Sequence, residues 1–152
     1  MMMKIWFDTE FIEDGKTIEL ISIGMVRADG NVFYREAECD HSKADDWVKQ
    51  NVLTQLTGDT VPREQIRNDI LAFCGESPEF WAYYADYDWV VLCQLFGRMI
   101  DLPDHWPMFC NDVQQLRYNM GASLPEQESG EHNALSDALW TKIAYEFLTT
   151  TQ

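Results

Sequence analysis

The chain has few basic residues for its size. Only 11 of its 152 residues are Lys or Arg, against 26 Asp and Glu, and its net charge is −15. Lys and Arg supply most of the non-specific affinity for nucleic-acid phosphates, so this balance excludes a long, basic duplex-binding surface. It does not exclude catalysis on a short strand, because divalent cations held in a carboxylate pocket attract phosphate locally.

Long apolar runs and closely spaced cysteines are also missing. No uninterrupted apolar run approaches the ~18 residues of a membrane span. The start MMMKIWFDTE predicts no signal peptide, because an acid follows after only three apolar residues. The four cysteines include no CxxC pair, which disfavours a zinc or redox motif and predicts reduced, mostly buried thiols. Reduced thiols in turn predict a cytoplasmic location.

The composition that remains is typical of a globular α/β domain. Hydrophobic residues make up 46% of the chain and charged residues 24%, and no repeat or linker divides it, so we expect one domain over residues 1–152. Three β-rich runs joined by Gly-containing turns predict an antiparallel meander, after which helices and strands alternate to give a mixed sheet. The predicted strands are 4–8, 18–27, 31–38, 79–84 and a short one around 108–110. The predicted helices begin at Ser42 and Pro62, cover 86–98, run from Asn111 or Asp112 to Tyr118, and run from Asn133 to Leu148.

Two acids stand close together at the predicted end of the first strand, in KIWFDTEF. Alternate residues of a strand face the same side, so Asp8 and Glu10 would point the same way with their Cα atoms roughly 6.6–6.8 Å apart. Two carboxylates that close repel one another unless a cation bridges them. An exposed, solvated pair is the alternative.

A third acid, Asp88, precedes the apolar run Trp89-Val90-Val91-Leu92 in the first turn of a predicted helix. An acid there complements the helix dipole, which is a sufficient structural reason for it. A metal ligand is the alternative, since Asp86 lies nearer the helix start and would serve the dipole equally well.

The last helix begins with HNALSDAL, which holds His132 and Asp137. Asp137 lies beside the predicted buried face formed with Ala134 and Ala138, and an acid there needs a partner. The two alanines would let the helix approach a strand closely. His132, on the incoming loop, would lie over the same pocket.

The order of these motifs resembles the DEDDh 3′–5′ exonuclease family, with matching residues Asp8, Glu10, Asp88, His132 and Asp137. Three segments look most like the bacterial, polyadenylate-specific exoribonuclease AS group: DTEFIEDGKTIELISIG, YADYDWVVLCQLFG and HNALSDAL. The resemblance covers the chain nearly end to end. It implies a ribonuclease H-like fold.

The same resemblance implies a two-metal mechanism. Asp8 would bridge two ions, Glu10 and Asp137 would complete one site, and Asp88 would hold the second ion. Hard oxygen ligands without Cys favour two Mg²⁺ ions, for which Mn²⁺ could substitute. His132 would be the general base that activates water, and the product would be a nucleoside 5′-monophosphate.

Substrate contacts are the least defined part of the site. The resemblance implies that Thr9 and Phe11 touch the terminal nucleotide, although Phe11 would serve equally well in the core. Glu19 would read a base edge or occupy an exposed strand position. Five aromatic residues could either stack on bases or pack in the core: Trp81, Tyr83, Tyr84, Tyr87 and Trp89. Core packing is favoured, because an apolar strand and an apolar helix hold them.

The leading hypothesis is a Mg²⁺-dependent 3′–5′ exoribonuclease acting on short or single-stranded RNA, with adenine-rich RNA as one expected substrate. A DNA exonuclease and an oligoribonuclease without base preference are the nearest alternatives, because recognition of the 2′-OH can depend on one contact. A catalytically inactive RNA- or protein-binding module on the same fold is a third. The resemblance also suggests a homodimer, in which the partner would supply Arg63, Arg67 or Arg98 to the substrate groove.

Overall fold

A six-stranded mixed β-sheet forms the centre of the computed structural model, which describes residues 2–150. The strand order is β4-β3-β2-β1-β5-β6. β1, β2 and β3 pair antiparallel, whereas β4, β5 and β6 pair parallel with β3, β1 and β5. The strands are β1 (Met3–Glu13), β2 (Ile18–Arg27), β3 (Val32–Ala37), β4 (Thr60–Val61), β5 (Pro78–Ala82) and β6 (Asn111–Asp112). The predicted mixed α/β sheet with an antiparallel meander is confirmed.

Helices connect the later strands and cover the sheet. They are α1 (Asp46–Asn51), α2 (Arg63–Cys74), α3 (Ala85–Gln94), α4 (Val113–Met120) and α5 (Ala134–Thr150). Short 3₁₀ turns occupy His41–Lys43, Leu53–Gln55 and Met99–Asp101. Within residues 2–150, no helix combines the length and the apolar character that a bilayer crossing requires.

The first strand is longer than its sequence predicts. It was expected to end at Asp8, because an acid there resembles a strand end, but it continues to Glu13. β2 pairs with it along this whole length, across a bulge between Glu10 and Phe11. The acid pair therefore lies in the middle of a central strand, where its side chains are covered by other elements.

Three smaller boundary predictions were also wrong. The helix expected from Ser42 begins at Asp46, because the Asp45 carboxylate caps it by accepting from the Val48 N–H at 2.8 Å. The helix expected over 86–98 ends at Gln94, shortly before Gly97 with φ +120°. The short strand expected around 108–110 lies at Asn111–Asp112, while residues 108 and 109 are exposed.

The two faces of the sheet carry different side chains. One face holds the main apolar core, in which Phe7, Ile23 and Phe80 are fully buried against α2 and α3. The other face is covered by α5, which packs across β1 and β2. The acids of β1 lie on this second face.

Gly24 allows α5 to approach the sheet. It pairs with Asp8 across β1 and β2, and a Cβ atom built on it would lie 2.4 Å from both the N and the Cα of Leu135. Ala134 and Ala138, whose side chains are small, are fully buried on the same helix. The start of α5 therefore lies directly beside the strand position that carries Asp8.

We predict that Gly24→Ala destabilises the protein by about 3 kcal/mol, because the new methyl group can be accommodated only by moving the backbone of α5. Urea denaturation followed by circular dichroism measures this. Gly15→Ala is a control, since its methyl group meets no atom within 4 Å and only the strain of its φ of +88°, about 1 kcal/mol, opposes it. Equal losses in the two variants would contradict the proposed close contact.

Candidate active site

Asp8 and Glu10 extend from the middle of β1 towards α5. Their neighbours on β2 are Gly24 and Ser22, which are small and leave space above the strand. Both acids are half-buried, and the Asp8 Oδ2 atom is buried with no hydrogen-bond partner among residues 2–150. A buried carboxylate oxygen without a donor is unfavourable unless a proton or a cation supplies the missing interaction.

Asp137 and His132 are brought to the same place by the start of α5. The Asn133 side chain caps the helix by accepting from the Ser136 N–H at 3.0 Å. His132 has a left-handed backbone, φ +70°, which turns the incoming loop so that its N–H donates to the Asp137 Oδ2 at 3.1 Å. The other carboxylate oxygen, Oδ1, accepts from the Gln127 side-chain amide at 2.9 Å. Asp137 is therefore held in one orientation by two donors.

Three of the predicted site residues form a set of potential metal ligands. Glu10, His132 and Asp137 each offer one ligand atom, and these atoms all lie within 4.8 Å of one another. Asp8 lies next to Glu10 and close enough to Glu10 and Asp137 for their charges to act on it. Four of the five predicted residues thus converge on one point.

Asp88 reaches the cluster from α3 and is held by Thr9. It is 5% exposed, and its Oδ1 atom accepts from the Thr9 N–H at 3.1 Å and from the Thr9 hydroxyl. Asp86, the alternative partner of the helix dipole, is exposed in the same turn. Thr9 was predicted to touch the substrate, but the structure places its donors on Asp88, so it orients a predicted metal ligand.

The carboxyl groups destabilise one another's charged forms. Burial, followed by the charges of Asp88, Glu10 and Asp137, raises the pKa of Asp8 well above its ordinary value. Burial and the charge of Asp137 raise the pKa of Glu10 to about 9. Burial also raises the pKa of Asp88 to about 7, although the hydrogen bonds from Thr9 oppose the rise. Without a cation, the cluster therefore holds protons at neutral pH.

A cavity of about 520 Å³ opens beside the acids. Asp8, His132 and Asp137 line it together with Tyr83, Gln127 and Trp140. Gln127 and Trp140 were not predicted as site residues, whereas Tyr83 was one of the aromatic residues considered for base stacking, with core packing favoured. Gln127 lies in a polar loop without local periodicity and Trp140 resembles a core residue, so no local signal identifies these two.

A smaller pocket of about 300 Å³ lies on the Glu10 side, lined by Glu10, Phe11 and Trp47 of α1. The Trp47 ring meets the His132 ring edge-on with centroids 4.8 Å apart, a contact that the sequence gives no reason to expect. Phe11 packs near Tyr87 with centroids 6.0 Å apart. Glu19 is not brought to the cluster: it pairs with Ile12, beyond the bulge.

The other aromatic residues considered for base stacking divide into two groups. Trp81 and Trp89 are half-buried and pack against core elements, as the core interpretation predicts. Tyr84 and Tyr87 are 63% and 49% exposed. Core packing therefore does not account for these two tyrosines.

Comparison with known proteins identifies the family. The family model of the 3′–5′ exoribonuclease Rv2179c-like domain matches residues 3–149. The chain belongs to this family. The five residues above lie within the matched range, and they converge in the structure although they are spread over most of the chain.

Two curated relatives from Mycobacterium tuberculosis agree with the family. They are the 3′–5′ exoribonuclease Rv2179c of strain H37Rv and the 3′–5′ exoribonuclease MT2234.1 of strain CDC 1551. Each is 40% identical over 159 aligned positions, which cover 98% of this chain and 95% of the relative. The chain is thus similar to these exoribonucleases over almost their whole length.

A solved structure shares the fold at much lower identity. A chain from the structure of the yeast NOT1 MIF4G domain co-crystallized with CAF1 aligns with a TM-score of 0.53 and 12% identity. The alignment covers 98% of this chain and 81% of that chain. At this identity the likeness concerns the fold alone.

We predict that the metal-free protein loses stability as the pH rises from about 6 to about 9. The folded-state pKa values of Glu10 and Asp88 lie above their ordinary values, so the folded state binds more protons than the unfolded state in this range. The free energy of unfolding therefore falls as the pH rises and these two groups lose their protons. We expect a loss on the order of 2 kcal/mol, measured by urea denaturation in EDTA.

Two variants test the origin of this loss. Asp8→Asn removes a carboxylate from the cluster and should flatten the pH dependence, whereas Asp59→Asn, in an exposed loop, should leave it as in the wild type. A wild-type stability that rises over this pH range would contradict the prediction.

Proposed function

We propose that the protein is a Mg²⁺-dependent 3′–5′ exoribonuclease of the DEDDh type, which releases nucleoside 5′-monophosphates from the 3′ end of short or single-stranded RNA. The observation that carries the proposal is the convergence of Glu10, His132 and Asp137, whose ligand atoms lie within 4.8 Å of one another, with Asp8 beside them at the cavity and Asp88 tied to β1 by Thr9. Membership of an exoribonuclease family supports the same reaction class.

The residues at the cavity fit divalent cations. Among residues 2–150 the Asp8 Oδ2 atom has no hydrogen-bond partner, the pKa values of the carboxyl groups are raised, and three ligand atoms lie within 4.8 Å of one another. Carboxylate oxygens with one imidazole and no thiolate suit Mg²⁺ or Mn²⁺. Asp8, Glu10 and Asp137 would hold one ion, and Asp8 with Asp88 a second. Two such ions, when bound, supply positive charge to the attacking and leaving oxygens of a phosphodiester.

His132 is the general base of the proposed reaction. It takes a proton from a water molecule, whose oxygen bonds to the terminal phosphorus as the P–O3′ bond breaks. The leaving O3′ takes up a proton from solvent, so the shortened strand leaves with a 3′-hydroxyl and the terminal residue leaves as a nucleoside 5′-monophosphate. Its backbone is tied to Asp137 and its ring is restrained by Trp47, so the imidazole stays beside the acids.

The terminal nucleotide fits the smaller pocket beside Glu10. Phe11 and Trp47 offer aromatic surface there, and Val48 and Val52 of the α1 region add apolar lining. A pocket of this size suits the end of a strand better than its middle. Phe11 therefore stays a proposed substrate contact, whereas the position of Glu19 gives it no support.

Other features of the family resemblance stay predictions. A ribonuclease H-like fold is supported by the antiparallel meander followed by the parallel strands β5 and β6. One exonuclease domain over residues 1–152, the homodimer, the cytoplasmic location and a preference for adenine are further predictions of this kind.

We predict that the protein shortens 5′-labelled oligo(A) stepwise from the 3′ end in Mg²⁺ or Mn²⁺ and not in EDTA. Asp8→Asn and His132→Ala should each lower kcat at least about 100-fold, because one removes a cation ligand and the other the general base. His105→Ala, which alters an exposed histidine outside the cavity, is the matched control and should keep wild-type activity. Activity that survives in EDTA or in His132→Ala would refute the mechanism. A correctly folded wild type that shortens no strand would indicate a binding module.

We predict a preference for RNA over DNA, measured as kcat/KM on oligo(A), oligo(U) and oligo(dA) of equal length. Oligo(A) should be the best substrate if the group resemblance holds, and oligo(dA) should be slower because it lacks the 2′-OH. Equal rates on oligo(A) and oligo(dA) would refute the RNA assignment but not the nuclease assignment.

A further inference from the structure

Tyr84 is an exposed aromatic residue with a left-handed backbone, next to the catalytic cavity. Its φ and ψ are +54° and +59°, a region that glycine adopts more readily, and its side chain is 63% exposed. The Asp112 Oδ1 atom holds this geometry by accepting from the Tyr84 N–H at 2.9 Å. The same oxygen accepts from the Gln114 N–H at 2.9 Å and so caps α4. The fold therefore holds Tyr84 in a strained backbone conformation in which its large ring is exposed to solvent.

Tyr84 is the outer end of a row of aromatic rings that enters the cavity. Its ring meets that of Tyr83 at 4.7 Å, and Tyr83 meets Trp140 at 5.0 Å, both edge-on. Tyr83 and Trp140 line the cavity together with Asp8. The Trp140 indole N–H donates to the Pro125 carbonyl at 3.0 Å, which fixes the inner end. We call Trp140, Tyr83 and Tyr84 the aromatic row.

Arg117 adds a positive charge beside this row. Its guanidinium donates to the Gln114 side chain at 2.8 Å and to the Ala122 carbonyl at 3.1 Å. In the part of the chain from 2 to 150, no carboxylate lies within ion-pair distance of it. Its charge acts on Tyr83: burial raises the pKa of that hydroxyl, and Arg117 opposes the rise.

We propose that the aromatic row and Arg117 bind the 5′ part of the RNA strand, with Tyr84 stacking on a base upstream of the last two nucleotides and Arg117 neutralising a phosphate there. This inference rests on the proposed function. The terminal nucleotide occupies the smaller pocket on the Glu10 side, so the rest of the strand leaves through the larger cavity, along Tyr83. Every base has an aromatic face, and stacking on Tyr84 is therefore tolerant of sequence.

The experiment compares kcat/KM on an adenine hexanucleotide and an adenine dinucleotide, in the full chain with Mg²⁺. Tyr84→Gly removes the ring while the glycine adopts the positive φ readily, so loss of folding does not explain its effect. We expect kcat/KM to fall about tenfold on the hexanucleotide and to change less than about twofold on the dinucleotide, which does not reach Tyr84. Tyr84→Phe should restore the hexanucleotide rate. Phe109→Ala, which removes an equally exposed ring at 62%, is the matched control and should change neither rate.

Several outcomes would overturn the inference. Equal losses on both substrates, an unchanged hexanucleotide rate, or the same loss in Phe109→Ala would each exclude stacking at Tyr84, while the proposed function would stand. Failure of the wild type to cleave either substrate would instead refute the proposed function, and the inference with it.

Arg117 has a separate test in the salt dependence of kcat/KM on the hexanucleotide. Loss of one phosphate contact in Arg117→Gln should reduce the slope against log salt concentration by about 0.7, and Arg117→Lys should keep the wild-type slope. An unchanged slope in Arg117→Gln would exclude the phosphate contact.

Discussion

The burial of several carboxyl groups at one place is the constraint on which the rest of this structure depends. Burial raises the pKa values of Asp8, Glu10, Asp88 and Asp137, and the charges of neighbouring carboxylates raise those of Asp8, Glu10 and Asp88 further. A fold that served only its own stability would place these acids in solvent. Here four carboxyl groups are buried together at a cost in stability, which the proposed binding of cations would offset.

The fold brings the acids together through backbone contacts and not through the acids' own attraction. Gly24 lets the start of α5 lie on the sheet opposite Asp8, and the N–H of His132 fixes Asp137. Thr9 ties Asp88 to β1 through two donors. Because these contacts involve backbone atoms and short side chains, the cluster is held without a cation. A preorganised site of this kind would need little rearrangement in the proposed binding of cations.

Local sequence patterns predicted much of the fold and the acids and histidine of the candidate site. The strands β2 and β3, the cap of α4 at Asp112 and the last helix follow from turn residues, periodicity and capping. The four acids and the histidine were predicted because each is costly or unusual where it stands and because their order resembles the DEDDh family. The continuation of β1 beyond Asp8 was missed, because pairing with β2 outweighs the polar residues in that segment. Gln127 and Trp47 were missed for a related reason: both contact the site across long sequence separations, and nothing in their local sequence marks them.

The net charge of −15 and the proposed RNA substrate are compatible if binding is confined to a small region. A strand drawn in by an extended basic surface would need many Lys and Arg, and this chain has 11. Aromatic stacking needs no charge, and the proposed contacts at the exposed ring of Tyr84 and the guanidinium of Arg117 would supply both stacking and a positive charge near the cavity. The acidic surface elsewhere would repel the remainder of a long RNA strand. Such a protein would favour short strands or free 3′ ends, because only the last few nucleotides gain contacts that outweigh the repulsion.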